Sequence, residues 1–176
     1  GTITPGVPTP ATNTAAGQNA RLLFTGTAGQ RVSIDADPVG SISVFTEIRL
    51  IAPNGMVLAT GALNTGRDFF DALDLPATGT YIVEIDPPSE SVGTVTVTLY
   101  DITDLTVAAT IGGPAVNVTF VMPGQNASVT FDGTAGARVG FAFTGLTSAL
   151  ISLRAPDGTL LITPVVRPAF TDVTLT

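Results

Sequence analysis

Two pairs of aspartates are the residues of this chain whose type and spacing best suit a chemical task. Asp35 and Asp37 lie two positions apart in an alternating run, and Asp101 and Asp104 flank a short linker. Because alternate residues of a strand face the same side, Asp35 and Asp37 are expected to point together. Ca²⁺ takes several hard oxygen ligands, which carboxylates supply. These four residues are therefore candidate calcium ligands, and a solvated acidic face is the alternative interpretation of each pair.

The residue types missing from the chain exclude most catalytic chemistry. Among its 176 residues there is no Cys, His, Trp or Lys, so all seven basic residues are arginines. Without His or Cys there is no Ser-His-Asp triad, no cysteine nucleophile and no zinc site of the His/Cys type. Without Lys there is no Schiff base and no phosphate-loop lysine. We expect no enzymatic activity and no cofactor other than the candidate calcium.

The charge of the chain excludes two classes of partner. Fourteen acidic residues against seven arginines give a net charge of −7. Binding to nucleic acid or to an anionic membrane surface needs a basic patch, which this composition does not supply. No apolar stretch reaches the ~18 residues that span a bilayer, so membrane insertion is not expected. The chain begins at Gly1 without a signal peptide, which predicts a mature protein or an excerpt.

An internal repeat organises the sequence. Residues 17–32 and 124–139 are identical at 11 of 16 positions, with an offset of 107. Downstream, residues 48–55 align with 151–158, and residues 70–75 align with 170–175. The sequence therefore predicts two tandem copies of one unit of roughly a hundred residues.

The second copy is incomplete in this alignment. Thr176 stands opposite Pro76, so nothing corresponds to the 25 residues 77–101. These residues contain two strongly alternating runs, 79–85 and 94–100, that predict strands. Three explanations stay open: the chain is a piece of a longer array, a neighbouring subunit supplies the missing strands, or the second copy closes on itself.

Strand patterns run through the whole chain, and no window has the helical spacing of apolar residues. Short runs rich in Val, Ile, Thr, Leu and Phe are separated by Gly and Pro, and Asn54-Gly55 and Asp157-Gly158 are hairpin signals. The predicted strands lie near 20–25, 30–36, 44–51, 56–60, 69–75, 79–86, 93–100, 116–121, 126–132, 137–143, 148–154, 159–163 and 170–175.

These patterns predict an all-β fold of two tandem antiparallel jelly-roll-like β-sandwich repeats, the second lacking its last two strands. Residues 1–16 are expected to form an extended N-terminal arm or a first strand. The first sandwich is expected over residues 17–103 and the incomplete second one over residues 104–176.

Two segments resemble a known family. LPATGTYIVEID at 75–86 and GTVTVTLYD at 93–101 are similar to the closing strands of bacterial pre-peptidase C-terminal (PPC-like) β-sandwich modules. The GQNA…F.GTAG.RV motif resembles tandem copies of such units in long bacterial surface and secreted proteins. The resemblance implies a non-catalytic module at the bacterial surface or outside the cell. Some relatives, such as the collagen-binding modules of clostridial collagenases, bind calcium and protein ligands, but their acidic calcium motif is not evident in this sequence.

The predicted function is therefore that of a non-catalytic structural repeat protein in a bacterial extracellular fibre, filament or surface stalk. Self-association by strand complementation between neighbouring copies is expected, with residues 2–14 as the candidate donor. The alternative is a calcium-assisted extracellular module for adhesion or binding.

Overall fold

A computed structural model of the chain describes residues 1–40, 42, 45–63, 66–145, 149–166 and 169–176. Its regular structure consists of strands, and none of these residues lies in a helix. The predicted all-β class is thereby confirmed. Within the same ranges, no helix is long and apolar enough to cross a membrane.

The strands follow one another along the chain with short connections. In chain order they are β1 (Thr9–Asn13), β2 (Ala20–Gly26), β3 (Arg31–Val39), β4 (Glu47–Ile51), β5 (Val57–Ala62), β6 (Asp68–Asp74), β7 (Gly79–Asp86), β8 (Gly93–Asp101), β9 (Leu105–Ala108), β10 (Ala127–Thr130), β11 (Arg138–Ala142), β12 (Leu150–Arg154), β13 (Leu160–Val166) and β14 (Ala169–Thr174).

The chain forms two compact units. Unit 1 comprises Gly1–Leu105 and Thr119–Ala127, and unit 2 comprises Thr106–Val118 and Ser128–Thr176. Unit 1 contains two four-stranded antiparallel sheets with the orders β1-β8-β3-β6 and β2-β7-β4-β5. Apolar side chains from both sheets form one core, as expected of a β-sandwich.

The strands β7 and β8 lie inside their sheets and supply much of this core. Their inward residues occupy every second position and are all buried: Tyr81, Val83, Ile85, Val95, Val97 and Leu99. Burying an aliphatic or aromatic side chain of this size stabilises the fold by about 1.5–3 kcal/mol relative to leaving it exposed. The core of unit 1 therefore depends on β7 and β8. These are the two strands that have no counterpart in the alignment of the second copy.

The N-terminal segment is built into unit 1. The strand β1 pairs with β8 along its whole length. Ile3 is buried, and its amide donates a hydrogen bond to the Leu23 carbonyl at 2.9 Å, so the first residues run beside β2. The segment that the sequence offered as a free donor arm is thus held in its own unit.

The hairpin predictions at Asn54-Gly55 and Asp157-Gly158 are confirmed. They connect β4 to β5 and β12 to β13, and both pairs are antiparallel. The φ angles of Gly55 and Gly158 are 84° and 88°, a left-handed conformation that glycine adopts without a Cβ clash.

Among the described residues of unit 2, each strand is bonded to just one other strand. β11 pairs with β14 and β12 pairs with β13, while β9 and β10 make a further two-stranded sheet. The strand predicted near 116–121 is wrong, because residues 114–121 belong to no strand. A strand needs a neighbouring strand to bond to its backbone N–H and C=O groups. The aligned segment of unit 1, β1, has such a neighbour in β8, whereas no described strand pairs with residues 114–121.

Candidate functional site

The first candidate site is the acidic face of β3. Asp35 is buried at 5% exposure, and both of its carboxylate oxygens accept hydrogen bonds from the Nε and Nη2 atoms of Arg67. Asp37 lies on the same face, with its Oδ1 3.7 Å from the Arg67 Nε. The predicted alignment of these two aspartates on one side of a strand is therefore found, together with a cation that the sequence did not indicate.

The Arg67 guanidinium binds the Asp35 carboxylate in a bidentate manner. Such paired N–H groups match the two oxygens of a carboxylate and fix its orientation. The hydrogen bond from Arg67 to Asp35 and the charge of that carboxylate raise the pKa of Arg67 above its ordinary value. Both oxygens of Asp35 are thus engaged by the guanidinium of Arg67, whose side chain is 54% exposed.

The other candidate calcium ligands lie elsewhere on unit 1. Asp101 is paired with Val32, five residues along β3 from Asp37, a separation of about 17 Å at strand spacing. Asp104 lies with its Oδ2 3.6 Å from the Arg31 Nε, and its Oδ1 accepts the Asn126 amide at 2.9 Å.

The structure does not bring the four aspartates to one place. Ca²⁺ takes six to eight oxygens, as a rule. In the described part of the chain, no group of three or more acidic, His or Cys side chains is arranged to hold a metal ion. The calcium site therefore stays a prediction.

A second ionic cluster lies on the outer face of the other sheet, and the sequence analysis missed it. Glu84 of β7 lies between Arg21 of β2 and Arg49 of β4 in the strand register. Its carboxylate is 2.5 Å from the Arg21 Nη2 and 3.3 Å from the Arg49 Nη2. Glu84 is only 4% exposed, so both arginines offset its buried charge, and the Arg49 Nη2 also pairs with Asp86 at 2.5 Å. The sequence alone does not reveal this cluster, because 63 residues separate Arg21 from Glu84 and only the strand register brings them together.

Unit 2 carries no such cluster at the aligned positions. Arg21 aligns with Ser128 and Arg49 with Ser152. Both serines are exposed. The strand edges that they flank therefore offer hydroxyl groups in place of guanidinium groups.

The second candidate site is the set of unpaired strand edges in unit 2. β12 is bonded to β13 on one side and β11 to β14 on one side, and no described strand pairs with their other sides. We call these two free sides and the unpaired edge of β10 the open edges of unit 2. A free edge presents backbone N–H and C=O groups that can bond to another strand.

Apolar side chains accompany these edges. Val129 is 40% exposed, whereas the aligned Leu22 in unit 1 is 3% exposed. Val116, which also belongs to unit 2, is 38% exposed. Val129 lies on β10, and Leu150, which is 73% exposed, lies on β12, so two of the strands with open edges carry an exposed apolar side chain.

Comparisons with known proteins found similarity only among solved structures. No protein-family model and no curated protein matches the chain. The pre-peptidase C-terminal domain of a collagenase from Bacillus anthracis is similar with a TM-score of 0.41 and 15% identity, over 56% of this chain and 94% of that domain. PliG from Aeromonas hydrophila, a periplasmic inhibitor of g-type lysozyme, is similar with a TM-score of 0.40 and 15% identity, over 56% of this chain and 95% of PliG. The kind of module that the sequence resembles is thus among the solved structures to which this chain is similar.

Proposed function

We propose that this chain is a non-catalytic structural module of a bacterial extracellular fibre, filament or surface stalk, and that it associates with neighbouring chains by strand complementation. The observation that carries the proposal is the open edges of unit 2 with their exposed apolar side chains. An unpaired edge beside apolar surface is the feature to which an added strand binds.

Two further observations support a structural role. The chain lacks Cys, His and Lys, and with them the cysteine nucleophile, the histidine general base and the Schiff-base lysine. Its buried carboxylates, Asp35 and Glu84, are engaged by arginines that fix them in place. A location outside the cell is supported by the motifs that resemble those of PPC-like modules.

The tandem arrangement is part of the proposal. The repeated motif is supported by equivalent strand pairs: β4 with β5 and β3 with β6 in unit 1 correspond by alignment to β12 with β13 and β11 with β14 in unit 2. Self-association then offers one way for unit 2 to acquire the strand partners that unit 1 has.

Sedimentation of the full chain at micromolar concentration tests the proposal. We expect concentration-dependent polymers, and we expect Ile151→Lys, which places a charge beside the open edge of β12, to abolish them. The control is Val57→Lys on β5, which places the same charge on an apolar, 46% exposed strand residue of unit 1. A wild-type chain that stays monomeric, or equal loss of polymers in both variants, would contradict the proposal.

A further inference from the structure

We propose that unit 1 carries a docking seat for the Gly-Gln-Asn turn that opens a repeat, and that the seated turn makes the stability of unit 1 depend on residues of the second sequence copy. The seat consists of Ser33, Ala72 and residues 103–105. Its occupant is the turn at residues 121–126 of the same chain. The inference goes beyond the proposed function, because it concerns the connection between repeats within one chain and needs no neighbouring chain.

The course of the chain brings this turn into unit 1. Unit 1 extends to Leu105, residues 106–118 belong to unit 2, and residues 119–127 belong to unit 1 again. By alignment the turn opens the second sequence copy, since residues 124–126 repeat the Gly-Gln-Asn of residues 17–19. The opening of the second copy is therefore folded into the unit that the first copy forms.

Four hydrogen bonds between described residues hold the turn in the seat, with donor–acceptor distances between 2.7 and 2.9 Å. They join the Ser33 hydroxyl to the Pro123 carbonyl, the Gln125 Nε2 to the Thr103 carbonyl, the Asn126 amide to the Asp104 Oδ1, and the Leu105 amide to the Asn126 carbonyl. The turn and the seat each supply both donors and acceptors. This pairing fixes the position of the turn, because a shifted backbone would break several bonds together.

The burial of Ser33 shows how closely the turn approaches. Ser33 lies on the side of β3 that faces away from the core, between the inward residues Val32 and Ile34, yet it is 0% exposed. A Cβ at Gly124 would lie 2.9 Å from the Ser33 Cβ and 3.4 Å from the Ala72 Cβ. Carbon atoms pack at about 3.5–4.0 Å. The seat therefore accepts glycine at this position and excludes a larger residue.

The aligned turn at residues 14–19 has the same internal geometry but is not seated. In both turns the glutamine Oε1 accepts the amide four residues earlier, and the glutamine amide donates to the carbonyl three residues earlier. Gly17 and Gly124 have φ angles of 72° and 86°. A Cβ at Gly17 would meet nothing within 4 Å, and the Gln18 Nε2 has no hydrogen-bond partner among the described residues. The turn therefore forms without a seat, and the contacts to the seat are additional to it.

Paired glycine variants of the full chain test the inference. Gly17→Ala and Gly124→Ala place the same strain on a left-handed residue, but only the second puts a methyl group against Ser33. Urea unfolding of unit 1 is followed by the fluorescence of Tyr81 and Tyr100, which both lie in that unit. We expect Gly124→Ala to lower the midpoint by about 0.5–1 M more than Gly17→Ala does. Equal midpoints for the two variants would overturn the inference.

A second pair adds no atoms and so avoids overpacking. Gln125→Glu keeps an oxygen to accept the Val121 amide but places an acceptor where Nε2 donates to the Thr103 carbonyl. Gln18→Glu makes the same change in the turn that is not seated. We expect Gln125→Glu to lower the midpoint of unit 1 by about 0.5 M and Gln18→Glu to leave it unchanged. An equal effect of the two substitutions would contradict the coupling.

Hydrogen exchange locates the loss at the seat. In the wild-type chain the Leu105 and Asn126 amides, which bond across the turn and the seat, should exchange more slowly than the aligned Asn19 amide. Gly124→Ala should speed their exchange about tenfold or more, while the amides of β7 stay protected. A lowered midpoint with unchanged exchange at these two amides would overturn the docking of the turn, as would wild-type exchange as rapid as that of Asn19.

Discussion

Replacing both arginines around Glu84 with the serines found at the aligned positions of unit 2 should strongly destabilise unit 1. Arg21→Ser/Arg49→Ser leaves the Glu84 carboxylate, which is 4% exposed, without either guanidinium. Removing the partner of a buried charge costs about 3–5 kcal/mol. The Arg21 side chain is 59% exposed, so water compensates for part of its loss, and we expect about 2–4 kcal/mol for the double variant.

Urea unfolding monitored by tyrosine fluorescence measures this loss. The two tyrosines of the chain, Tyr81 and Tyr100, both lie in unit 1, and there is no Trp, so the signal reports on unit 1 alone. For a slope of about 2 kcal/mol per molar urea, the expected loss lowers the midpoint by about 1–2 M.

The triple variant with Glu84→Thr is the control for this prediction. Removing the carboxylate as well should restore part of the stability, because the most deeply buried charge is then gone and only the 35% exposed Asp86 has lost its partner Arg49. A double variant as stable as the wild type would refute the reasoning that the buried Glu84 carboxylate depends on Arg21 and Arg49. Failure of Glu84→Thr to rescue the double variant would refute it equally.

Three further predictions concern single features of unit 1. Tyr81→Phe should lower the stability by about 1–2 kcal/mol in thermal unfolding followed by circular dichroism, since the buried hydroxyl donates to the Ala77 carbonyl at 2.5 Å; an unchanged Tm would contradict this. Asn13→Ala should cost about 1–3 kcal/mol in the same assay, because its buried side-chain amide donates to the Ser91 carbonyl and accepts from the Gly93 amide at the start of β8. A near-neutral effect would show that these bonds contribute little. Millimolar calcium should leave the Tm of the wild-type chain unchanged, because Arg67 engages both oxygens of Asp35; a rise in Tm reversed by chelator would support the calcium site instead.

Local patterns were sufficient to predict much of the fold. The alternation of β7 and β8 shows which side chains face the core, since the side-chain period of a strand is two residues. Asn54-Gly55 identified a hairpin because a tight turn needs residues that tolerate positive φ. The same alternation misled at residues 116–121, where the pattern is present but no described strand pairs with it.

The candidate sites were harder to predict because they depend on register. Asp35 and Asp37 were found as a pair on one face, but Arg67 is 32 residues from Asp35 and meets it only through the fold. The Glu84 cluster likewise joins three strands. Short strands such as β1 and β9 have too few alternating residues to stand out from the Pro- and Thr-rich sequence around them.

Hydrogen exchange of the assembled chain tests the central proposal most directly. If neighbouring chains complete unit 2, the amides of β11 and β12 should be as strongly protected in the assembly as those of β3 and β4. Dilution to the monomer should release the protection in unit 2 and leave that in unit 1. Rapid exchange at β11 and β12 within an assembled chain, or full protection of both strands in the monomer, would contradict the account.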